Sequence, residues 1–171
     1  TEVKKYDALI MAFNPNITNP QANWDPGKMI LDAVRVVLDA GLTNLAIKLK
    51  TGDKFIQENE LRTFFLRENV ICHKDANYSI DYLSGDFNEH VLKAKCVVGQ
   101  ITTAILETIY HDIPYYIYEP YENGKTDEMI KSSMIFNLDT VARNTGQLKK
   151  LLCHKTGSVR AKKNYIFSGE N

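Results

Sequence analysis

The chain has 171 residues, of which 44% are hydrophobic and 25% charged, and its 21 basic and 21 acidic side chains give zero net charge. This length fits one domain with its own core, and the balanced charge argues against a surface for nucleic acid or anionic membrane. No apolar run approaches the roughly 20 residues of a membrane span, so we expect a cytoplasmic protein.

The first half of the chain alternates between apolar runs and segments with helical periodicity. In chain order we predict a strand at Tyr6–Phe13, a helix from Asp25 to Gly41, a strand at Asn44–Leu49, a helix at Gln57–Asn69 and a strand at Val70–Cys72. This alternation predicts an α/β fold, a three-layer Rossmann-like domain whose mostly parallel sheet is flanked by helices.

The second half is less regular. We interpret His73–Ser84 as a loop with one weak strand near Ile80–Leu83. After it we predict a helix at Phe87–Ala94, strands at Cys96–Val98 and Tyr115–Tyr118, a small strand at Met134–Phe136 and a helix at Asp139–Leu152 that breaks near Asn144–Gly146. Residues 1–154 are the predicted Rossmann-like domain, and 155–171 are a basic tail.

Cysteine and histidine residues are few and widely spaced. The three cysteines are an odd number and two of them lie in apolar runs, so we expect free thiols and no disulfide. The four histidines share no metal-ligand spacing with one another or with the cysteines. The sequence therefore predicts no metal site.

The segment from Lys93 to Pro120 carries the strongest functional pattern. A buried strand ends at Gly99, and a helix then begins at Thr102 and Thr103. A helix that begins directly after a glycine turn presents backbone N–H groups to an anion. The two threonines have two compatible interpretations, as helix caps and as phosphate ligands.

Glu107 lies four residues after Thr103 and five after Thr102. A capping box requires Glu or Gln three residues after the N-cap, so this spacing excludes that role. Glu107 is then either a ribose ligand one turn along the helix or an ordinary exposed carboxylate.

Two further candidates follow predicted strands. Lys50 ends the second strand, as a phosphate partner or a solvated charge, and His73 follows the predicted third strand. Ligands of open α/β sheets bind at the carboxyl ends of strands, so both are candidate ligand-binding residues. The chain has no GxGxxG, no GxxxxGK[ST] and no GxSxG motif.

The segment GDFNEHVLKAKCVVGQITTAILETIYHDIPYYIYEP resembles the donor-binding segment of bacterial GT-B glycosyltransferases and related polymerases of capsule, lipopolysaccharide and teichoic-acid synthesis. The matching positions are Gly99, Thr102, Thr103, Glu107 and Ile113-Pro114. LAIKLKTGD is similar to the family's IKxHP segment, although Lys50-Thr51 replaces His-Pro, and KKNYIFSGEN is similar to the stretch before the family's final helix.

This resemblance implies one half of a GT-B fold that binds a nucleotide-sugar or CMP-linked donor as its substrate, with no other cofactor. The substrate-binding residues that we predict are Gly99, Gln100, Thr102, Thr103, Glu107, Lys50 and His73. Thr102 and Thr103 would hold the phosphates, and Glu107 the ribose.

The family's general base usually comes from an N-terminal acceptor domain, so the resemblance implies a missing domain or a partner subunit and leaves the catalytic residues unknown. Contact with the inner face of the membrane would come only through that partner or the acceptor.

A different class of function stays open. A flavodoxin-like phosphate-ligand-binding or regulatory module would use the same edge of the sheet without transferase activity. Asn14 and Asn16 stand where a receiver domain would need an acidic cluster, which counts against that subclass. A structural interaction domain is the third alternative.

Overall fold

The computed structural model describes residues 3–13, 25–52, 55–68, 77–120, 128, 141–155 and 157–158. Six strands lie in these ranges: β1 (Ala8–Met11), β2 (Asn44–Lys48), β3 (Ser79–Leu83), β4 (Val97–Gly99), β5 (Tyr115–Tyr118) and β6 (Val141–Ala142). Five helices accompany them within the same ranges: α1 (Pro26–Asp39), α2 (Glu58–Arg67), α3 (Phe87–Val91), α4 (Ala104–Tyr110) and α5 (Thr145–His154).

The described strands form one sheet in the order β3-β2-β1-β4-β5-β6. Every neighbouring pair is parallel, with Ile10 opposite Ile47 on one side of β1 and opposite Val98 on the other. The predicted α/β fold with a parallel, helix-flanked sheet is confirmed.

Alternate residues of each strand face the two helical layers, as the pleat of a strand requires. Ile10 and Val98 belong to the core that α1, α2 and α5 cover. Leu9 and Val97 belong to the opposite core, which α3 and α4 cover. Both faces of the central strands are therefore buried, which explains their nearly continuous apolar sequences.

Helix α1 begins and ends where its sequence indicates. The Asp25 side chain accepts hydrogen bonds from the N–H groups of Gly27 and Lys28, and Pro26 occupies the first turn, where no intrahelical donor is lost. Gly41 follows the helix with φ +84°, a conformation that glycine adopts without steric cost.

Of three further predicted strands, one lies within the described residues. The weak strand expected near Ile80–Leu83 is confirmed as β3, Ser79–Leu83, which lies beside β2. The predicted strands at Val70–Cys72 and Met134–Phe136 lie outside the described residues.

The predicted helix at Asp139–Leu152 is wrong at its start. Val141 and Ala142 pair with β5 as a strand, and the helix begins only after Asn144, whose side chain accepts a hydrogen bond from the Gln147 N–H at 2.9 Å. The cap therefore separates a short strand from the helix.

Among the described residues, no helix is long and apolar enough to cross a membrane. Cys96 and Cys153 are free, and burial raises the pKa of the Cys96 thiol to about 12. Cys96 therefore stays protonated at neutral pH and packs as an apolar side chain.

Candidate functional site

The order of the described strands reverses direction between β1 and β4. The chain leaves β1 for α1 on one face of the sheet and leaves β4 for α4 on the other. Such a divergence opens a crevice at the carboxyl ends of the two strands, where open α/β sheets bind their ligands. We call this the switch-point crevice, and its described wall is the loop Gln100–Thr103 after β4.

Gly99 ends β4 at the base of this loop and is packed from two sides. A β-carbon at this position would lie 2.5 Å from Tyr115 Oη and 2.9 Å from Met11 Cβ. These separations are shorter than van der Waals contact, so only glycine fits between β1 and β5. This packing is why a glycine ends β4 at this point.

The peptide group that joins Gln100 to Ile101 is held at both ends by side chains near the ends of β5. Tyr115 Oη donates to the Gln100 carbonyl at 2.5 Å, and the Ile101 N–H donates to Glu119 Oε1 at 3.0 Å. Glu119 is only 8% exposed, and burial raises the pKa of Tyr115, which stays a hydrogen-bond donor at neutral pH. The first turn of the loop is therefore fixed by its neighbour in the sheet.

The two threonines differ in their structural roles. Thr102 Oγ1 accepts a hydrogen bond from the Ala104 N–H at 3.0 Å, so Thr102 caps the short helix α4. Thr103 has helical dihedral angles, makes no capping bond through its side chain and is exposed. Within the described ranges, the N–H groups of Thr102 and Thr103 have no hydrogen-bond partner. Two backbone donors thus remain at the crevice.

Glu107 lies in the first turn of α4 and is partly buried. Among the described residues, its carboxylate forms no hydrogen bond or ion pair. It follows Thr103 by four residues, which places the two side chains on the same side of the helix. Glu107 therefore lies one helical turn after Thr103, as the sequence indicated. Its role as a ribose ligand stays a prediction.

Lys50 and His73 complete the predicted set of ligand-binding residues. Lys50 lies after β2 with its Nζ over the Phe55 ring, 5.5 Å from the centroid. His73 lies outside the described residues, as does the tail from residue 159 onward.

The sequence prediction assigned no role to two charged residues at the carboxyl edge. Glu119 is one, and Lys48 is the other. Lys48 is 7% exposed, its Nζ donates to the Leu49 carbonyl at 2.7 Å, and burial lowers its pKa although the charge of Asp86 opposes this effect. Because side chains alternate between the two faces along β2, Lys48 lies on the face of the sheet that α3 and α4 cover. The signal in the sequence was a lysine at the inward position of a buried strand.

Described residues also line cavities away from this crevice. One of about 290 Å³ lies at the amino edge of the sheet, lined by Asp7, Lys95, Cys96 and Tyr116 among others. A wider one of about 520 Å³ lies beside α2 and includes Asp25 and Arg67. No group of three His, Cys, Asp or Glu residues in the described part of the chain could hold a metal ion.

No protein-family model, curated protein or solved structure matches the chain significantly.

Proposed function

We propose that this domain binds a nucleotide-linked donor in the switch-point crevice, as the donor-binding half of a GT-B glycosyltransferase of cell-surface polysaccharide synthesis. The observation that carries the proposal is the reversal of strand order between β1 and β4, directly beside the loop Gln100–Thr103. The sequence resemblance to the donor-binding segment of that family begins before this loop and continues through β5.

In this proposal the phosphates accept hydrogen bonds from the N–H groups of Thr102 and Thr103 and from the exposed hydroxyl of Thr103. Backbone donors can stabilise the charge that develops on a leaving phosphate or diphosphate, without an obligatory metal ion. Glu107 accepts hydrogen bonds from the ribose hydroxyls, because a carboxylate can accept from two neighbouring hydroxyl groups.

Transfer itself would require groups that the proposal does not assign to this domain. The general base and the acceptor site would belong to an N-terminal domain or a partner subunit, and contact with the membrane would come through that partner or the acceptor. Alone, the domain is expected to bind the donor without turning it over.

Isothermal titration calorimetry with UDP, GDP, CDP and CMP tests the proposal. We expect at least one nucleotide to bind, and we expect Thr103→Ala and Glu107→Ala each to weaken it by about tenfold, the effect of losing one hydrogen bond. Thr103→Ala tests the exposed hydroxyl beside the backbone donors, and Glu107→Ala tests the ribose contact.

Thr63→Ala and Glu60→Ala are the matched controls, because both residues are exposed on α2. They should leave the affinity unchanged. Absence of binding by all four nucleotides would refute the donor-site proposal. Binding of inorganic phosphate without any nucleotide would favour the phosphate-binding module instead.

A further inference from the structure

We propose that Glu119 is a positioning residue of the switch-point crevice, which acts by fixing the orientation of the Gln100–Ile101 peptide. This inference rests on the proposed function, because it concerns the same ligand site. Glu119 does not contact the ligand in this proposal; its effect passes through the loop.

The two hydrogen bonds described above belong to one peptide unit. Tyr115 Oη holds its carbonyl oxygen, and Glu119 Oε1 holds its N–H. Because a peptide group is planar, bonds at both of these atoms fix the plane as well as its position. Rotation of this plane would change the dihedral angles on either side and turn the following N–H groups away from the crevice.

Glu119 is itself held firmly enough to act in this way. Its backbone N–H donates to the Ala142 carbonyl at 2.9 Å, and its carbonyl accepts from Arg143 Nη1 at 3.4 Å. The main chain of Glu119 is thus anchored between β5 and β6, and its side chain reaches the loop after β4.

The Glu119 carboxylate is only 8% exposed and accepts a hydrogen bond from the Ile101 N–H. Burial of a charged group costs free energy unless hydrogen bonds compensate for it. A hydrogen bond to a charged acceptor is also stronger than one to a neutral acceptor, so a carboxylate holds the Ile101 N–H more firmly than an amide would. A loop with a fixed peptide presents the Thr102 and Thr103 donors without an ordering cost when the ligand binds.

The experiment combines amide hydrogen exchange with nucleotide titration on the full chain. In Glu119→Ala, we expect exchange at the Ile101 amide to accelerate by about tenfold relative to the Val97 amide, and nucleotide affinity to fall by about tenfold. The Val97 N–H donates to the Pro114 carbonyl inside the sheet and therefore reports general loss of stability.

The substitution Glu119→Gln separates the effect of the hydrogen bond to Ile101 from the effect of the negative charge. Its side-chain oxygen can still accept from Ile101, so we expect nucleotide affinity to recover most of the loss seen with Glu119→Ala. Asp39→Asn removes one exposed negative charge at the other edge of the sheet and should change neither readout. Tyr115→Phe removes the second bond to the same peptide and provides a further test if Glu119→Ala does not fold.

The outcomes distinguish this inference from the proposed function. If the wild-type chain binds no nucleotide, the donor-site proposal fails, and Ile101 exchange still decides whether Glu119 fixes the peptide. If Ile101 and Val97 exchange accelerate equally in Glu119→Ala, or if affinity is unchanged while Ile101 accelerates, Glu119 is not a positioning residue.

Discussion

Gly99 lies at the point where β4 is most closely packed against both of its neighbours. Replacement by alanine would bring a β-carbon to 2.5 Å from Tyr115 Oη and 2.9 Å from Met11 Cβ. Neither neighbour can withdraw freely, because Met11 Cβ is fixed by the backbone of β1 and Tyr115 Oη is bonded to Gln100. We expect Gly99→Ala to lower the free energy of unfolding by about 1–3 kcal/mol, as overpacked cores do, measured by urea denaturation.

Gly146→Ala is the matched control for this substitution. A β-carbon there would meet only Asn144 Oδ1, at 3.3 Å, and a shift of a few tenths of an ångström relieves this contact while lengthening the hydrogen bond from Gln147 only slightly. We expect a change below about 0.5 kcal/mol. Equal destabilisation by both substitutions would contradict the close packing of Gly99.

The candidate residues could be predicted from the sequence only where the signal is local. Gly99, Thr102 and Glu107 follow one another within a single strand–turn–helix segment, and their spacing is visible in the chain. Glu119 was not predicted because its hydrogen bond to Ile101 joins residues 18 positions apart in the sequence. The bond forms because β4 and β5 are neighbours in the sheet.

At the scale of the elements, Asp7 joins β1 to β2 at the amino edge of the sheet. Its Oδ2 accepts from the N–H groups of Thr43 and Asn44, each at 3.0 Å, and its Oδ1 pairs with Lys95 Nζ at 2.8 Å. Burial alone would raise the pKa of this carboxyl. The hydrogen bonds from Lys95, Asn44 and Thr43 outweigh that effect and hold the pKa below its usual value of 3.8.

Asp7→Asn is therefore expected to destabilise the chain by about 1–3 kcal/mol at pH 7, because donors of β2 lose a charged acceptor. A depressed pKa in the folded state adds stability above the unfolded value and loses it as pH falls through the folded pKa. The difference between wild type and Asp7→Asn should thus be constant at neutral pH and shrink below about pH 4, as followed by urea denaturation from pH 7 to pH 3.

Lys95→Met provides the comparison for the ion pair alone. The Lys95 side chain is 59% exposed, so its loss should cost less than the loss of the Asp7 carboxylate. A difference for Asp7→Asn that does not change with pH would contradict the role of the ionised carboxylate.

The elements themselves were predictable to different degrees. β1, β2, β4 and β5 have nearly continuous apolar sequences because both of their faces are buried, and each was predicted. β3 is an outer strand of the described sheet with half-buried side chains, and its Asp81 accepts a hydrogen bond from Tyr6 Oη at 2.9 Å. This polar contact with the N-terminal segment replaces part of the apolar pattern, so the sequence indicated only a weak strand here.

At the scale of the whole molecule, a ligand could bind at either end of the parallel strands, the carboxyl edge or the amino edge of the sheet. The switch-point crevice lies at the carboxyl edge, and the cavity of about 290 Å³ with Lys95 lies at the amino edge. Both offer polar groups. Within the part of the chain that the structure describes, the carboxyl edge combines a divergence of the chain with free backbone donors at Thr102 and Thr103. A bound nucleotide should therefore change the amide chemical shifts at the carboxyl edge of the described sheet and leave those at the amino edge unchanged.

Amide chemical-shift mapping by NMR measures this directly. On titration with the nucleotide that binds most tightly, we expect the largest changes at Ala12, Phe13 and the loop Gln100–Thr103, because these residues follow the two strands that border the crevice. The amides of Leu42 and Lys95, at the amino edge, should shift little, and inorganic phosphate should reproduce only the changes near Thr102 and Thr103. Larger shifts at Leu42 and Lys95 than at the loop would place the ligand in the amino-edge cavity and contradict the crevice as the binding site.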